Sequence, residues 1–203
     1  MNIETFFGVP FYHSKIHIND NIISFVKTLN YKKLPGEFSG SMSENTYILN
    51  LREFYDLKKE IDIHSQCFFY DILKISRKIK FNLKNSWLMK HELWDHAHSH
   101  IHVNSMYSGI LYLQVDKNTG QFSIHNQKQH RIIKLEYDEI NEYNSDDVSI
   151  LPEKGSIFLF PSSLEHSVQK NESNIERYCL AFDFFPEGFF SLGEISNLTI
   201  MSR

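Results

Sequence analysis

The chain has little that would tie it to nucleic acid, to a membrane or to an oxidising compartment. Only two cysteines occur in 203 residues. Cys67 and Cys179 are too far apart in sequence to make a Cys-x-x-Cys redox pair or a zinc ribbon. A lone disulfide stays open, but two free thiols in a reducing cytoplasm is the simpler reading. Lysine and arginine total 21 against 25 acidic residues, a net charge of −4 with neutral histidine. No basic run marks an electrostatic footprint for nucleic acid, so none is expected as a partner. No apolar run approaches the ~20 residues of a membrane span, and the first residues, from Met1 to Thr5, lack the basic and apolar regions of a signal peptide. A cytoplasmic location is therefore expected. Linker composition and internal repeats are missing as well, so residues 1–203 are read as a single domain, with a homodimer left open.

What the chain does have is histidine at a telling spacing. His96, His98, His100 and His102 recur at every second residue. In an extended strand such residues project from one face, so all four rings would point the same way. Two imidazoles on one face clamp a metal when a third ligand arrives from a neighbouring strand. His166 is the candidate third ligand. A solvated, histidine-rich strand face would look the same from the tract alone.

Around that tract the patterning predicts a mainly β fold with flanking helices. Residues 6–16 are aromatic and β-branched but contain Pro10, which suits an edge or bulged strand. Asn19 and Asp20 offer a cap for a short helix carrying Ile22, Ile23, Val26 and Leu29 on one face. Residues 34–43, with Pro35, Gly36 and Gly40, read as a loop. Phe54, Leu57, Ile61, Phe68, Ile72, Ile75 and Ile79 recur at helical spacing, which predicts one long helix over residues 52–79 packed against a sheet. From Asn85 onward the period becomes that of strands: residues 87–94, 107–115, 121–125, 131–136, 156–160 and 175–185. Residues 116–120 read as a tight turn and 137–149 as an acidic surface excursion. The expectation is a helical buttress over about 18–80 and a β core over about 85–186.

In the last strand Arg177, Cys179, Ala181 and Asp183 share one face, while Tyr178, Leu180, Phe182 and Phe184 share the other. The second set is apolar and should meet the helices. The first lines an interior around one arginine, which must find an anionic partner because an unpaired buried guanidinium is costly. That partner is either a structural carboxylate or a bound ligand.

With these pieces in view, the chain resembles an iron(II)- and 2-oxoglutarate-dependent oxygenase, and within that superfamily a small group from marine bacteria and their phages. The resemblance runs in order through Phe6-Phe-Gly-Val-Pro10, Asn85-Ser-Trp87, His100-Ile-His102-Val-Asn-Ser105 and Ser108-Gly-Ile-Leu-Tyr112. It continues through Gly155-Ser-Ile-Phe-Leu-Phe-Pro161, His166-Ser-Val168 and Arg177. It implies a double-stranded β-helix (jelly-roll) core in which His100, His102 and His166 bind Fe(II). It also implies that Arg177 clamps the distal carboxylate of 2-oxoglutarate and that Tyr112 hydrogen-bonds the same group. The implied reaction hydroxylates a substrate while 2-oxoglutarate decarboxylates to succinate, with no catalytic residue beyond the metal site. Two departures stand out. His-x-His replaces the superfamily's usual His-x-Asp/Glu, leaving three neutral ligands. Cys179 stands where a serine often assists the carboxylate, and a thiol is a weak donor.

The register of the histidine ladder is open at this stage. His96 with His98, or His98 with His100, are alternative clamps, and His96, His98, Asn104 and Cys179 are candidates for lining the cavity. Glu92 and Asp95 do not match the ligand slot. Two other functions stand beside the first: a cupin-like three-histidine iron enzyme that uses no 2-oxoglutarate, and a non-catalytic metal- or ligand-binding β-barrel. The substrate, whether small molecule or peptide, is not encoded in any motif, and no membrane partner is expected.

Overall fold

A computed structural model describes residues 8–35, 39–126, 135–192 and 196–201. Its core is two antiparallel sheets. The larger contains β1 (Tyr12–Lys15), β2 (Tyr31–Lys33), β3 (Ser41–Ser43), β4 (Lys80–His91), β6 (Tyr107–Gln114), β9 (Ser156–Pro161), β11 (Arg177–Leu192) and β12 (Ser196–Ile200). The smaller contains β5 (Ala97–His100), β7 (Phe122–His125), β8 (Asp147–Ile150) and β10 (His166–Val168). Strand order is β1-β9-β6-β11-β4-β3-β2 in the larger sheet, with β12 on β11, and β5-β10-β7-β8 in the smaller. This is the jelly-roll arrangement that the family resemblance implied.

Strands of the larger sheet are apolar on both faces because both are covered. In β9, Ile157 and Leu159 face the helices, while Phe158 and Phe160 face the second sheet. In β6, Leu111 and Leu113 pack on the helix side, and Ile110 and Tyr112 on the other. The same division holds in β11, where Tyr178, Leu180, Phe182 and Phe184 join the helical cluster and Cys179 joins the inter-sheet cluster. Close packing leaves no room for a side chain at Gly109, where a Cβ would lie 2.2 Å from the Phe182 ring.

Helix α1 (Asp20–Val26) starts at Asn19, whose side chain accepts the Asn21 N–H at 2.9 Å. The long helix expected over 52–79 is shorter and composite. A 3₁₀ turn (Arg52–Phe54) leads into α2 (Tyr55–Gln66), and a π-helical turn (Cys67–Ile72) ends it. The wider π turn rotates the apolar face, burying Phe68 and Phe69 together and leaving Ile72 half exposed. Lys74, at φ 56°, then breaks the helix. Ile75 and Ile79 still reach the core, but from the connection that leads into β4. Periodicity alone does not separate these cases, since apolar positions were matched and only the backbone path differed.

Other boundaries move as well. The strand expected at 87–94 begins at Lys80 and stops at His91. The N-terminal segment supplies edge strands to the larger sheet as well as helices, β3 lying within the expected loop at 34–43. Part of the excursion at 137–149 enters β8, which pairs with β7. Of the strand expected at 131–136, residues 131–134 lie outside the described residues, and 135–136 carry no regular structure. Phe6 and Phe7 also lie outside them. Among the described residues, no helix is long and apolar enough to cross a membrane.

Candidate metal centre and anion cradle

His100 ends β5 and His166 begins β10, and the two are direct cross-strand partners. His102 has already left the strand. Its backbone N–H donates to the Ser162 carbonyl at 3.0 Å, and Asn104, at φ 60°, turns the chain toward β6. The ladder is therefore not one extended strand presenting four parallel rings. Its last two members converge with His166, and the ligand atoms of His100, His102 and His166 all lie within 4.8 Å of one another. Among the described residues, this is the cluster of such groups able to hold a metal.

Each ring of the triad has its Nδ1 engaged. His100 Nδ1 lies 2.7 Å from the His98 carbonyl, His166 Nδ1 lies 2.8 Å from the Leu164 carbonyl, and His102 Nδ1 lies 2.8 Å from Asp183 Oδ1. Carbonyls and carboxylates only accept hydrogen bonds, so each Nδ1 carries a proton and Nε2 is the nitrogen each ring can offer a cation. Burial favours the neutral form of two of these rings: it lowers His100 and, with the nearby His100 imidazole, pushes His166 down to about 3. Aromatic walls hold the rings in place: Phe122 stacks on His166 at 5.2 Å, Phe160 meets its edge at 4.9 Å, and Trp87 lies 5.6 Å from His102.

The other candidates take different places. His96 sits against Ser39, with Nδ1 to Oγ 3.2 Å, and its ring packs on His98 at 4.6 Å; neither joins the cluster. Asn104 is exposed in its turn, so it does not line the cavity. Cys179 does line the cavity, and burial pushes its thiol up to about 11, so it stays protonated. Asp95 accepts the Glu92 N–H and Glu92 binds Lys90, away from the triad.

A second feature lies in the same sandwich. Arg177 is fully buried, and its Nη1 donates to the carbonyls of Thr119 and Gln169. Its Nε and Nη2 have no partner, nor do the hydroxyls of Tyr112 and Thr119 or either nitrogen of His91. No carboxylate among the described residues forms an ion pair with Arg177. The structural-carboxylate alternative therefore has no ion pair among the described residues to rest on; Asp95 acts on the guanidinium only through its charge. Register explains why these groups face one way: Arg177 pairs with His91 on β4, and Cys179 pairs with Tyr112 on β6. Burial and the adjacent guanidinium hold His91 well below its ordinary value, and burial raises Tyr112. Buried groups with unmade hydrogen bonds are rare and ask for a ligand. An anion bearing two carboxylate oxygens fits them.

Sequence reasoning did not single out His91, Thr119 or a role for Asp183. His91 lies nine residues before His100 and is brought to Arg177 only by the pairing of β4 with β11. Thr119 sat unnoticed in a turn.

Residues 85–183 match the family model described as "Putative 2OG-Fe(II) oxygenase". Over that core, just under half of the chain, the sequence is similar to the 2OG-Fe(II) oxygenases. Solved structures share the fold across most of the chain. HygX from Streptomyces hygroscopicus, with nickel and 2-oxoglutarate bound, superposes with a TM-score of 0.60 at 9% identity, covering 87% of this chain and 82% of that one. A 2OG-Fe(II) oxygenase-family oxidoreductase from Burkholderia pseudomallei gives 0.59 at 14% identity, covering 81% and 77%. A prolyl-4-hydroxylase from Pseudomonas putida gives 0.55 at 13% identity, covering 87% and 92%. No curated protein sequence matches the chain.

Proposed function

We propose that the chain is an oxygenase that binds ferrous iron at His100, His102 and His166, takes 2-oxoglutarate as cosubstrate and hydroxylates a small-molecule or peptide substrate. The observation that carries this reading is the buried Arg177, without an ion pair, beside the unpartnered Tyr112 hydroxyl, in the same sandwich as the convergent His100, His102 and His166. Arg177 would grip the distal carboxylate of 2-oxoglutarate through Nε and Nη2, and Tyr112 would add a neutral O–H donor. His91 and Thr119 would complete the cradle. When bound, iron and 2-oxoglutarate supply the oxidation of a substrate C–H bond, coupled to decarboxylation of 2-oxoglutarate to succinate.

The chain's own part is to hold and to exclude. Imidazoles pinned through Nδ1 orient Nε2 toward the cation. Thiol Cys179 remains a weak donor beside the cradle and keeps that wall uncharged. A cavity of about 250 Å³ is lined by Leu34, Met42, Trp87, Met89, Ile110 and Ala181 along with the histidines, and such apolar walls keep bulk water from the centre. They also favour an uncharged, C–H-bearing group as the part of the substrate that enters. The two free thiols suit a cytoplasmic protein.

The test is anaerobic titration of the metal-free protein with Fe(II) and then 2-oxoglutarate, followed by the visible metal-to-ligand charge-transfer band. A band that saturates with 2-oxoglutarate and needs Fe(II) is expected. Oxygen consumption that depends on substrate but not on 2-oxoglutarate would instead establish the cupin-like alternative.

A further inference from the structure

Three neutral imidazoles bring no negative charge to a divalent cation, whereas the commoner facial triad includes one carboxylate. A carboxylate is nevertheless present, one hydrogen bond away. Asp183, only 5% exposed, accepts the Nδ1–H of His102 at 2.8 Å and the Oγ–H of Ser108 at 2.6 Å, both at Oδ1. Neither partner is a cation when His102 is neutral, and no lysine or arginine among the described residues reaches Asp183. A buried carboxylate without a cation nearby is expensive. Asp183 is thus the counterpart of Arg177 on the same strand: one buried group lacks a cation, the other an anion.

The surroundings hold Asp183 in that pose. Ser108 is its cross-strand partner on β6, Ser162 Oγ lies 2.7 Å from Ser108 Oγ, and Ser105 Oγ lies 2.8 Å from Ser162 Oγ. Ser105 in turn donates to the carbonyls of Tyr107 and Phe184. The chain of hydroxyls links the turn after His102 to the strand that carries Asp183. His100 and His166, by contrast, donate to neutral carbonyls. The carboxylate is therefore directed at one ligand of the three.

Building on the reading that the triad holds a divalent metal, we propose that Asp183 is a positioning residue that supplies the centre's negative charge through His102. It takes over, from outside the ligand set, the charge of a ligand carboxylate. Drawing the His102 N–H toward an anion gives that imidazole more anionic character and makes its Nε2 a stronger donor than those of His100 and His166.

Asp183→Asn tests this, since Asn keeps the shape and an acceptor oxygen but removes the charge. Co(II) affinity, measured without turnover by chelator competition, should fall roughly 10–100-fold. Azide binding to the Co(II)-loaded variant should tighten, because a less neutralised cation attracts anions more strongly. Unchanged Co(II) affinity would overturn the proposal, as would metal and azide affinity falling together, which is what loosened structure alone produces. A second measurement needs no variant. In ¹⁵N-edited NMR of the Zn(II)-loaded wild type, the Nδ1 proton of His102 should resonate downfield of those of His100 and His166. Three coincident shifts would overturn the proposal even if Asp183→Asn does not fold. Wild-type protein that binds neither Co(II) nor Zn(II) would remove the metal reading itself, an outcome distinct from an insensitive variant.

Discussion

Replacing Arg177 should separate stability from function in opposite directions. The guanidinium is buried, carries a charge with no ion-pair partner among the described residues, and leaves Nε and Nη2 unbonded. Each unmade buried hydrogen bond costs roughly 1–3 kcal/mol. Arg177→Met removes both orphan donors and the buried charge, and it also removes a donor from the carbonyls of Thr119 and Gln169. Losing those two bonds costs about 1 kcal/mol each, so the balance favours the variant by roughly 0–4 kcal/mol. For a domain of this size each kcal/mol raises Tm by about 2–4 °C. The same substitution should abolish 2-oxoglutarate binding. Arg177→Lys keeps the charge but loses the planar fork, and should weaken 2-oxoglutarate by about 1.5–3 kcal/mol, or roughly 10- to 150-fold. Iron affinity should hold in both variants, because the guanidinium bonds backbone carbonyls and not the triad. Thermal unfolding of metal-free protein, together with the charge-transfer titration, reads all of this. A destabilised Arg177→Met variant, or wild-type 2-oxoglutarate affinity in Arg177→Lys, would refute the argument that this arginine waits for a carboxylate.

Other outcomes follow from the same geometry. Tyr112→Phe deletes a buried hydroxyl that bonds nothing, so metal-free stability should hold or rise while 2-oxoglutarate affinity falls by about 0.5–1.5 kcal/mol; a clear loss of stability would show that the hydroxyl has a protein partner. His100→Ala and His166→Ala should abolish Fe(II) binding by calorimetry, whereas His96→Ala and His98→Ala should keep it; loss of Fe(II) binding in both of the latter would move the ligand set. Acidification should weaken the metal-free fold. Burial holds His166 at about 3 and His91 well below 6.5. Below about pH 6.5 the unfolded chain therefore takes up protons that the folded chain refuses. Stability should fall from there toward pH 3, by up to about 1.4 kcal/mol per pH unit for each ring. Urea midpoints equal at pH 7.5 and 5.5 would contradict it.

The sequence by itself determined the two-sided apolar strands of the core, since an uninterrupted run such as residues 157–160 can only be buried on both faces. It also determined the polar face of the last strand, because alternation in an extended chain assigns Arg177 and Asp183 to one side whatever lies opposite. The choice of His100 and His102 from four equally spaced histidines came from resemblance to a family. Period 2 treats all four rings alike, and only the exit of His102 from β5 and the pairing of His100 with His166 distinguish them. Helix length escapes the periodicity for a related reason, because a π turn changes the backbone path without disturbing which residues are apolar. His91 and Asp183 were decided by tertiary structure alone. Their roles depend on what stands across the sheet or at the end of a side chain, Arg177 for one and the His102 ring for the other. Those neighbours are 86 and 81 residues away in the chain, and no local pattern carries information over such a separation.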